Sequence, residues 1–93
     1  MSFELAFRDE ALKEWHRLDH AIREQFKKKL VERLVQPRVP SAKLSGHQDR
    51  YKIKLRSAGY HLVYEVRDRE VVVIVVAVGK RERNAVYKAA AAR

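Results

Sequence analysis

The chain has 93 residues, a formal net charge of +9 and no cysteine. This length suits one domain, residues 1–93, with a single modest core. The 46% hydrophobic share is that of a globular protein and argues against disorder. Lack of cysteine excludes disulfides and thiolate chemistry. The positive charge is most typical of proteins that bind nucleic acid or another polyanion; an acidic protein partner is the alternative, and both can apply.

No targeting or membrane segment is predicted. The longest apolar run, residues 71–78, is far too short to cross a bilayer. No apolar stretch follows a basic flank near residue 1. We therefore expect a cytoplasmic protein that does not contact membranes.

The first third of the chain predicts a strand followed by two helices. Phe3, Leu5 and Phe7 alternate with other residues, as in a short strand, and Asp9 can cap the helix that follows. Apolar residues then recur every three or four positions, broken near Asp19, which predicts an antiparallel helix pair. That stripe comprises Ala11, Trp15, Leu18, Ile22, Phe26, Leu30 and Leu34.

The opposite side of the second predicted helix is strongly basic. It carries Arg23, Lys27, Lys28, Lys29 and Arg33. Such a run is either an ordinary solvated face or a surface that binds RNA, and the sequence favours neither. Pro37 and Pro40 end this helix.

A β-hairpin with two unlike faces is predicted from residue 51 onward. Apolar and basic residues alternate from Tyr51 to Arg56, which places Lys52 and Lys54 on one face. Residues 57–60 suit a tight turn in which Gly59 adopts positive φ. With a two-residue loop, Arg56 lies opposite His61, Lys54 opposite Val63 and Lys52 opposite Glu65. His61 then shares the face of the lysines.

Two more elements complete the prediction. Residues 71–78 form an unbroken run typical of a central strand covered on both sides. After a basic cluster at residues 79–83, Asn84 can cap a last helix, 85–92, which has little to bury and should dock weakly. The predicted class is α+β in the order β-α-α-β-β-β-α, with two N-terminal helices on a small, mainly antiparallel sheet.

The first kind of functional site to consider is a metal site. His16 and His20 are four residues apart, the spacing of a chelating pair on one helix. No cysteine or convincing third ligand accompanies them, so no metal or other cofactor is expected. The sequence also lacks a glycine-rich phosphate loop and a Ser-His-Asp pattern.

The remaining candidate site is a group of basic residues with one aromatic residue. This set could simply hold a phosphate backbone, or it could cleave RNA. Cleavage by a 2′-hydroxyl needs a base, an acid for the leaving 5′-oxygen and cations for the crowded phosphate. Lysine is a poor base at its free pKa of about 10.4, but adjacent like charges and desolvation favour the neutral amine. The set comprises Lys52, Lys54, Arg56, His61, Lys80, Arg81, Arg83 and Tyr87.

Several of these stretches resemble one known family. Residues 11–15, 51–56, 59–60, 62–64 and 78–83, together with Tyr87, are similar to the RelE toxins of bacterial toxin–antitoxin pairs. The resemblance covers nearly the whole chain and implies a RelE/ParE fold. It also implies an endoribonuclease that enters the 70S ribosome, contacts ribosomal RNA and cuts messenger RNA in the A site, inhibiting translation. A cognate antitoxin protein would hold it inactive.

The same resemblance implies roles for particular residues. Lys52 and Lys54 match the catalytic lysines, with Lys52 favoured as base and Lys54 as acid. Arg81 matches the arginine that stabilises phosphate, and Tyr87 the tyrosine that stacks on a base. Phosphate-binding roles are expected for Arg56, His61, Lys80 and Arg83, and weak ribosome contacts for Lys27, Lys28 and Arg33.

Two positions depart from the family pattern. Ser45 and His61 stand where relatives carry arginines, which lowers the capacity to bind phosphate. Like charges should keep His61 neutral, so that it either contacts phosphate or itself serves as a base. Two alternative functions stay open: a binding-only ParE-like relative that poisons gyrase, and a non-catalytic RNA-binding domain.

Overall fold

The computed structural model describes residues 2–46 and 49–93. Its elements confirm the predicted order and the α+β class. The four strands form one sheet in the order β1-β4-β3-β2, in which β1 runs parallel to β4 and the other neighbours are antiparallel. The elements are β1 (Glu4–Phe7), α1 (Asp9–His16), α2 (His20–Val35), a short 3-10 turn (Pro40–Ala42), β2 (Arg50–Leu55), β3 (Tyr60–Arg67), β4 (Val72–Lys80) and α3 (Ala85–Ala91). No helix in the described ranges is long and apolar enough to cross a bilayer.

The break between α1 and α2 falls where the sequence places it. Asp19 has extended backbone geometry (φ −60°, ψ 150°) and precedes the first residue of α2. His16 ends α1 and His20 begins α2, and both are exposed. The two histidines thus belong to different helices, and the chelating geometry of a single helix does not arise. The cap of α1 is Arg8 rather than Asp9, which instead places its negative charge in the first turn.

One face of the sheet is covered by α1 and α2. Trp15 lies between Phe7 and Phe26, with ring centroids 5.2 Å and 6.3 Å away. Phe26 and Leu30 of α2 are buried in the same cluster. This cluster includes the inward residues of the predicted helical stripe and the alternate residues of β2. It is the larger of two hydrophobic clusters among the described residues.

The other face is covered by α3, over part of its area. Val63 of β3 and Val76 and Ala77 of β4 pack there against α3. Val63 pairs with Ala77 while Tyr64 pairs with Val75, so Val76 is an extra residue in β4. As predicted, β4 is a central strand with apolar side chains on both faces.

The β2–β3 hairpin differs from its predicted register by two residues. Leu55 pairs with Tyr60, so the loop comprises residues 56–59 instead of two residues. Lys54 therefore lies opposite His61, and Arg56 is left in the turn. Because side chains alternate with a period of two, this shift keeps His61 on the face of the lysines. Gly59 has φ +73°, as the turn prediction required.

Arg33 does not join the exposed basic side of α2. Its Nη1 donates to the hydroxyl of Tyr64 at 2.8 Å and to the carbonyl of Lys52 at 3.3 Å. The Tyr64 hydroxyl in turn donates to the carbonyl of Pro37 at 2.6 Å. Arg33 thus links α2 to the sheet, and its weak ribosome contact stays a prediction. Lys27 and Lys28 are exposed as expected.

The Tyr64 hydroxyl should contribute measurably to stability. Tyr64→Phe leaves the Pro37 carbonyl and one Arg33 donor without this partner, which should lower the free energy of unfolding by about 1–3 kcal/mol. Urea unfolding of the purified chain measures the change. Tyr60→Phe is the matched control, because the Tyr60 hydroxyl makes no hydrogen bond with the described residues. Equal stability of the two variants would contradict the prediction.

Candidate functional site

The sheet brings two lysines and a histidine together on the face that carries α3. Lys52 and Lys54 are two residues apart in β2, and Lys54 pairs directly with His61 of β3. Lys54 is exposed and Lys52 is half-buried. Both lie beyond the area that α3 covers with apolar side chains. The polar half of this face is formed by β2, because the side chains of residues 51–56 alternate between the two faces of the sheet.

Arg81 is attached to the same region through its backbone. Its amide donates to the carbonyl of Gly59 at 2.8 Å, which ties the segment after β4 to the hairpin turn. The Arg81 side chain is exposed, and its charge acts on His61. Lys52, Lys54, His61, Arg81 and Tyr87 are called the basic site from here on.

Tyr87 packs on His61. Their ring centroids are 5.1 Å apart with 33° between the ring planes. His61 is only 7% exposed, and Tyr87 is half-buried. The Tyr87 hydroxyl is buried and has no hydrogen-bond partner among the described residues. Burial raises the pKa of this phenol above its ordinary value.

His61 is held in its neutral form. Burial is the largest cause that lowers the pKa of His61, and the charges of Lys54, Arg81 and Lys52 lower it further. The expectation of a neutral imidazole agrees with this direction, but burial outweighs the like charges. Little of the imidazole surface is exposed while Tyr87 covers it, and its phosphate contact stays a prediction. His61 serves here as the surface on which the Tyr87 ring rests.

The remaining predicted phosphate contacts divide into two groups. Lys80 pairs with Tyr60, and the alternation along β4 puts its side chain on the face of Val78, which packs under α1. Lys80 therefore points away from the basic site, and its phosphate contact stays a prediction. Arg56 and Arg83 are exposed in the segments that flank the site, the hairpin turn and the link to α3. Arg83 has φ +48°, an uncommon conformation for a residue with a side chain.

Two ion pairs near α3 were missed by the sequence analysis. Arg50 donates through Nε to Glu65 at 3.0 Å and through Nη1 to the Ala90 carbonyl at 2.6 Å. Arg93 donates to both carboxylate oxygens of Glu14, at 2.8 Å and 3.0 Å. The predicted hairpin register placed Glu65 opposite Lys52, so the pairing of Glu65 with Arg50 was not predicted. With these bonds α3 is more firmly attached than predicted.

No metal site accompanies these residues. Within residues 2–46 and 49–93, no group of three or more histidine, aspartate or glutamate side chains could hold a metal ion. The chemical groups of the basic site are two amines, a guanidinium, an imidazole and a phenol.

Comparison with known proteins identifies the class. Residues 5–85 match the family model of the ParE toxin of type II toxin–antitoxin systems, parDE. The chain is 57% identical to the mRNA interferase toxin RelE of Escherichia coli strain K12, over all of this chain and 98% of that protein. It is 54% identical to a putative RelE-like toxin protein of Escherichia coli, with the same coverage.

Solved structures agree with this assignment. An arginine-to-alanine double mutant of E. coli toxin RelE in the free state superposes with a TM-score of 0.92, at 55% identity over all of this chain and 98% of that one. RelE in the intact E. coli RelBE toxin–antitoxin complex gives a TM-score of 0.84 at 57% identity, over 88% of this chain and all of that one. The fold is that of a type II toxin. The chain belongs to the RelE/ParE family of toxins, and its relatives named here are of the RelE kind.

The lowered pKa of His61 should make the fold sensitive to acid. Between the folded pKa and the unfolded value of about 6.5, the unfolded chain binds more protons, so stability falls as pH drops through that window. His61→Gln should remove part of this loss, as measured by urea unfolding at about pH 7.5 and about pH 5. His20→Gln, at an exposed histidine, should retain the loss seen in the parent. An unchanged acid sensitivity in His61→Gln would refute the assignment.

Proposed function

We propose that this chain is an mRNA interferase toxin that cleaves messenger RNA in the ribosomal A site and is silenced by a cognate antitoxin. One observation carries the proposal: two lysines, an arginine and a tyrosine meet around a neutral histidine on one face of the sheet. The relatives at 57% identity over the whole chain are themselves named mRNA interferases. Such concentrated positive charge suits a substrate that supplies phosphate.

The proposed reaction is an attack of a ribose 2′-hydroxyl on the adjacent phosphorus. Lys52 accepts the proton of the 2′-hydroxyl while the new P–O2′ bond forms. Lys54, as the ammonium, gives a proton to the 5′-oxygen as the P–O5′ bond breaks. The products are a 2′,3′-cyclic phosphate and a 5′-hydroxyl, and no water, metal or redox partner is consumed. Arg81, always charged, stabilises the crowded phosphate.

Tyr87 has a different proposed task. Cleavage of this kind requires the reacting nucleotide to leave the helical stack so that its 2′-hydroxyl lines up with the P–O5′ bond. An aromatic ring stabilises an unstacked base. The half-buried ring of Tyr87, supported by His61, supplies such a surface next to the two lysines.

The ribosome and the antitoxin are the proposed partners. Two lysines and one arginine align a flexible RNA poorly, so the ribosome is needed to hold the substrate in register. The exposed Lys27 and Lys28 of α2 are suited to contact ribosomal RNA. RelE relatives occur in complexes with the antitoxin RelB. For this chain, we propose an antitoxin segment with acidic residues that covers the basic site or displaces α3.

Cleavage should depend on both the ribosome and Lys54. We expect cuts within the A-site codon of ribosome-bound mRNA, and a rate at least about 10³-fold lower on the same RNA without ribosomes. Lys54→Ala should lower the single-turnover rate by about 10²- to 10⁴-fold, as for loss of a general acid. Lys13→Ala, at an exposed lysine of α1 on the opposite face of the sheet, is the control.

Primer extension maps the new 5′ ends and measures these rates. Equal cutting of free and ribosome-bound RNA would rule out the ribosome's role in alignment. Inhibition of gyrase without any RNA cleavage would instead identify a binding-only relative of the ParE kind.

The ring and the hydroxyl of Tyr87 should differ in importance. Because the hydroxyl has no partner among the described residues, Tyr87→Phe should cleave within about threefold of the parent. Tyr87→Leu loses the stacking surface, worth about 1–3 kcal/mol per base, so its single-turnover rate should fall about 5- to 150-fold. A severe loss in Tyr87→Phe would show instead that the hydroxyl takes part in proton transfer.

A further inference from the structure

Helix α3 carries Tyr87 and is too short to be stable alone. It spans Ala85–Ala91, and isolated helices of this length do not persist in water. Its apolar contacts with the sheet come mainly from Val86 and Ala90. The Tyr87 hydroxyl has no partner among the described residues, so no polar bond of its own fixes the ring. The position of Tyr87 is therefore set by where α3 docks.

A buried arginine holds the last turn of α3. Arg50 is 9% exposed, and its Nη1 donates to the Ala90 carbonyl at 2.6 Å. Ala90 lies three residues after Tyr87, so both residues are on the same side of the helix. The last carbonyls of a helix lack partners within it, and a guanidinium is well suited to bind them.

The arginine is fixed from the sheet side by Glu65. Its Nε donates to Glu65 Oε1 at 3.0 Å, and Glu65 Oε2 accepts from Arg67 at 2.8 Å. Burial would raise the pKa of Glu65, but the hydrogen bonds from Arg50 and Arg67 lower it below its ordinary value. A buried guanidinium is costly unless its donors are satisfied. If α3 leaves the sheet, Arg50 loses the Ala90 carbonyl, which opposes that movement.

A second arginine acts at the end of α3. Arg93 donates to Glu14 of α1 and to the Val76 carbonyl of β4 at 2.9 Å. Arg50 and Arg93 therefore hold the C-terminal end of α3 from two directions. Arg50 is the closer to the basic site, because it starts the strand that carries Lys52 and Lys54.

We propose that Arg50, oriented by Glu65, is a positioning residue that holds α3 on the sheet and so keeps the Tyr87 ring on His61. Arg50 does not touch the RNA in this role. The inference rests on the proposed function, in which Tyr87 stacks on a base of the substrate. It adds a residue whose substitution should weaken cleavage through the placement of Tyr87.

Two arginines that share Glu65 provide a matched test. Arg50→Met removes the bond to α3 while keeping an apolar side chain of similar length. Arg67→Met removes the other partner of Glu65, but Arg67 is exposed and its hydrogen bond to Glu65 does not reach α3. Arg50→Lys is a second variant, which keeps the positive charge beside Glu65. It lacks the planar guanidinium that donates to Glu65 and to the Ala90 carbonyl at the same time. Unchanged fluorescence of the buried Trp15 reports that each variant is folded.

On the full chain, amide exchange and the His61 signals report the position of α3, and cleavage reports its effect on activity. Amide exchange within α3 should become about 10- to 100-fold faster in Arg50→Met and Arg50→Lys, and remain as in the parent in Arg67→Met. The imidazole protons of His61 should lose the ring-current shift caused by Tyr87, and the pKa of His61 should rise towards its ordinary value as the ring uncovers it. On programmed ribosomes, kcat should fall about three- to tenfold, with a smaller change in KM.

Each outcome decides between the alternatives. Loosening of α3 together with weaker cleavage, in both Arg50 variants and not in Arg67→Met, supports the proposal. Parent-like exchange and His61 signals in Arg50→Met would overturn it, as would a loosened α3 with unchanged cleavage. If the parent itself fails to cut ribosome-bound mRNA, the proposed function fails, while exchange and the His61 signals still decide whether Arg50 positions Tyr87.

Discussion

The structure depends on a central strand that must be covered on both faces. The alternate residues Val73 and Val75 of β4 pack under α1 and α2, while Val76 and Ala77 face α3. Helices α1 and α2 cover most of the first face, but the seven residues of α3 can cover only part of the second. The uncovered part is where β2 contributes Lys52 and Lys54. The basic site is therefore the edge of a hydrophobic face, where an apolar patch meets a row of cations.

That boundary explains the state of His61. It lies between the lysines and the α3 patch, so it is surrounded by positive charge and covered by an aromatic ring at once. Both conditions favour the neutral imidazole, which lets Tyr87 pack against it. The site needs an anion to balance its charge, and it needs α3 in place to present its aromatic ring. Substrate binding and the docking of a short helix are thus linked through one pair of residues.

Much of this was predictable because it depends on local pattern. The alternation in residues 51–56 identified the lysine face, and the resemblance of residues 78–87 to RelE toxins identified Arg81 and Tyr87 as their companions. The hairpin register was missed because it depends on the length of the turn, and the residues Ser57–Tyr60 suit either a two-residue or a longer loop. His61 was still assigned to the correct face of the sheet, since a register shift of two residues leaves each side chain on the same face. The predicted cross-strand partner of Glu65 was wrong, because Glu65 pairs with Arg50 and not with Lys52.

The sequence by itself determined the element order, the two-sided central strand and the composition of the basic site, because each follows from the periodicity or the chemistry of nearby residues. Only the tertiary structure decided which cations act together. Lys80 and Arg33 look equivalent to Lys54 along the chain, yet strand alternation turns Lys80 to the far face and the Tyr64 hydroxyl binds Arg33. The attachment of α3 was equally hidden, since Arg50 and Ala90 are 40 residues apart and meet only when the sheet has folded. Such long-range polar bonds leave no local signature, because their partners are selected by packing.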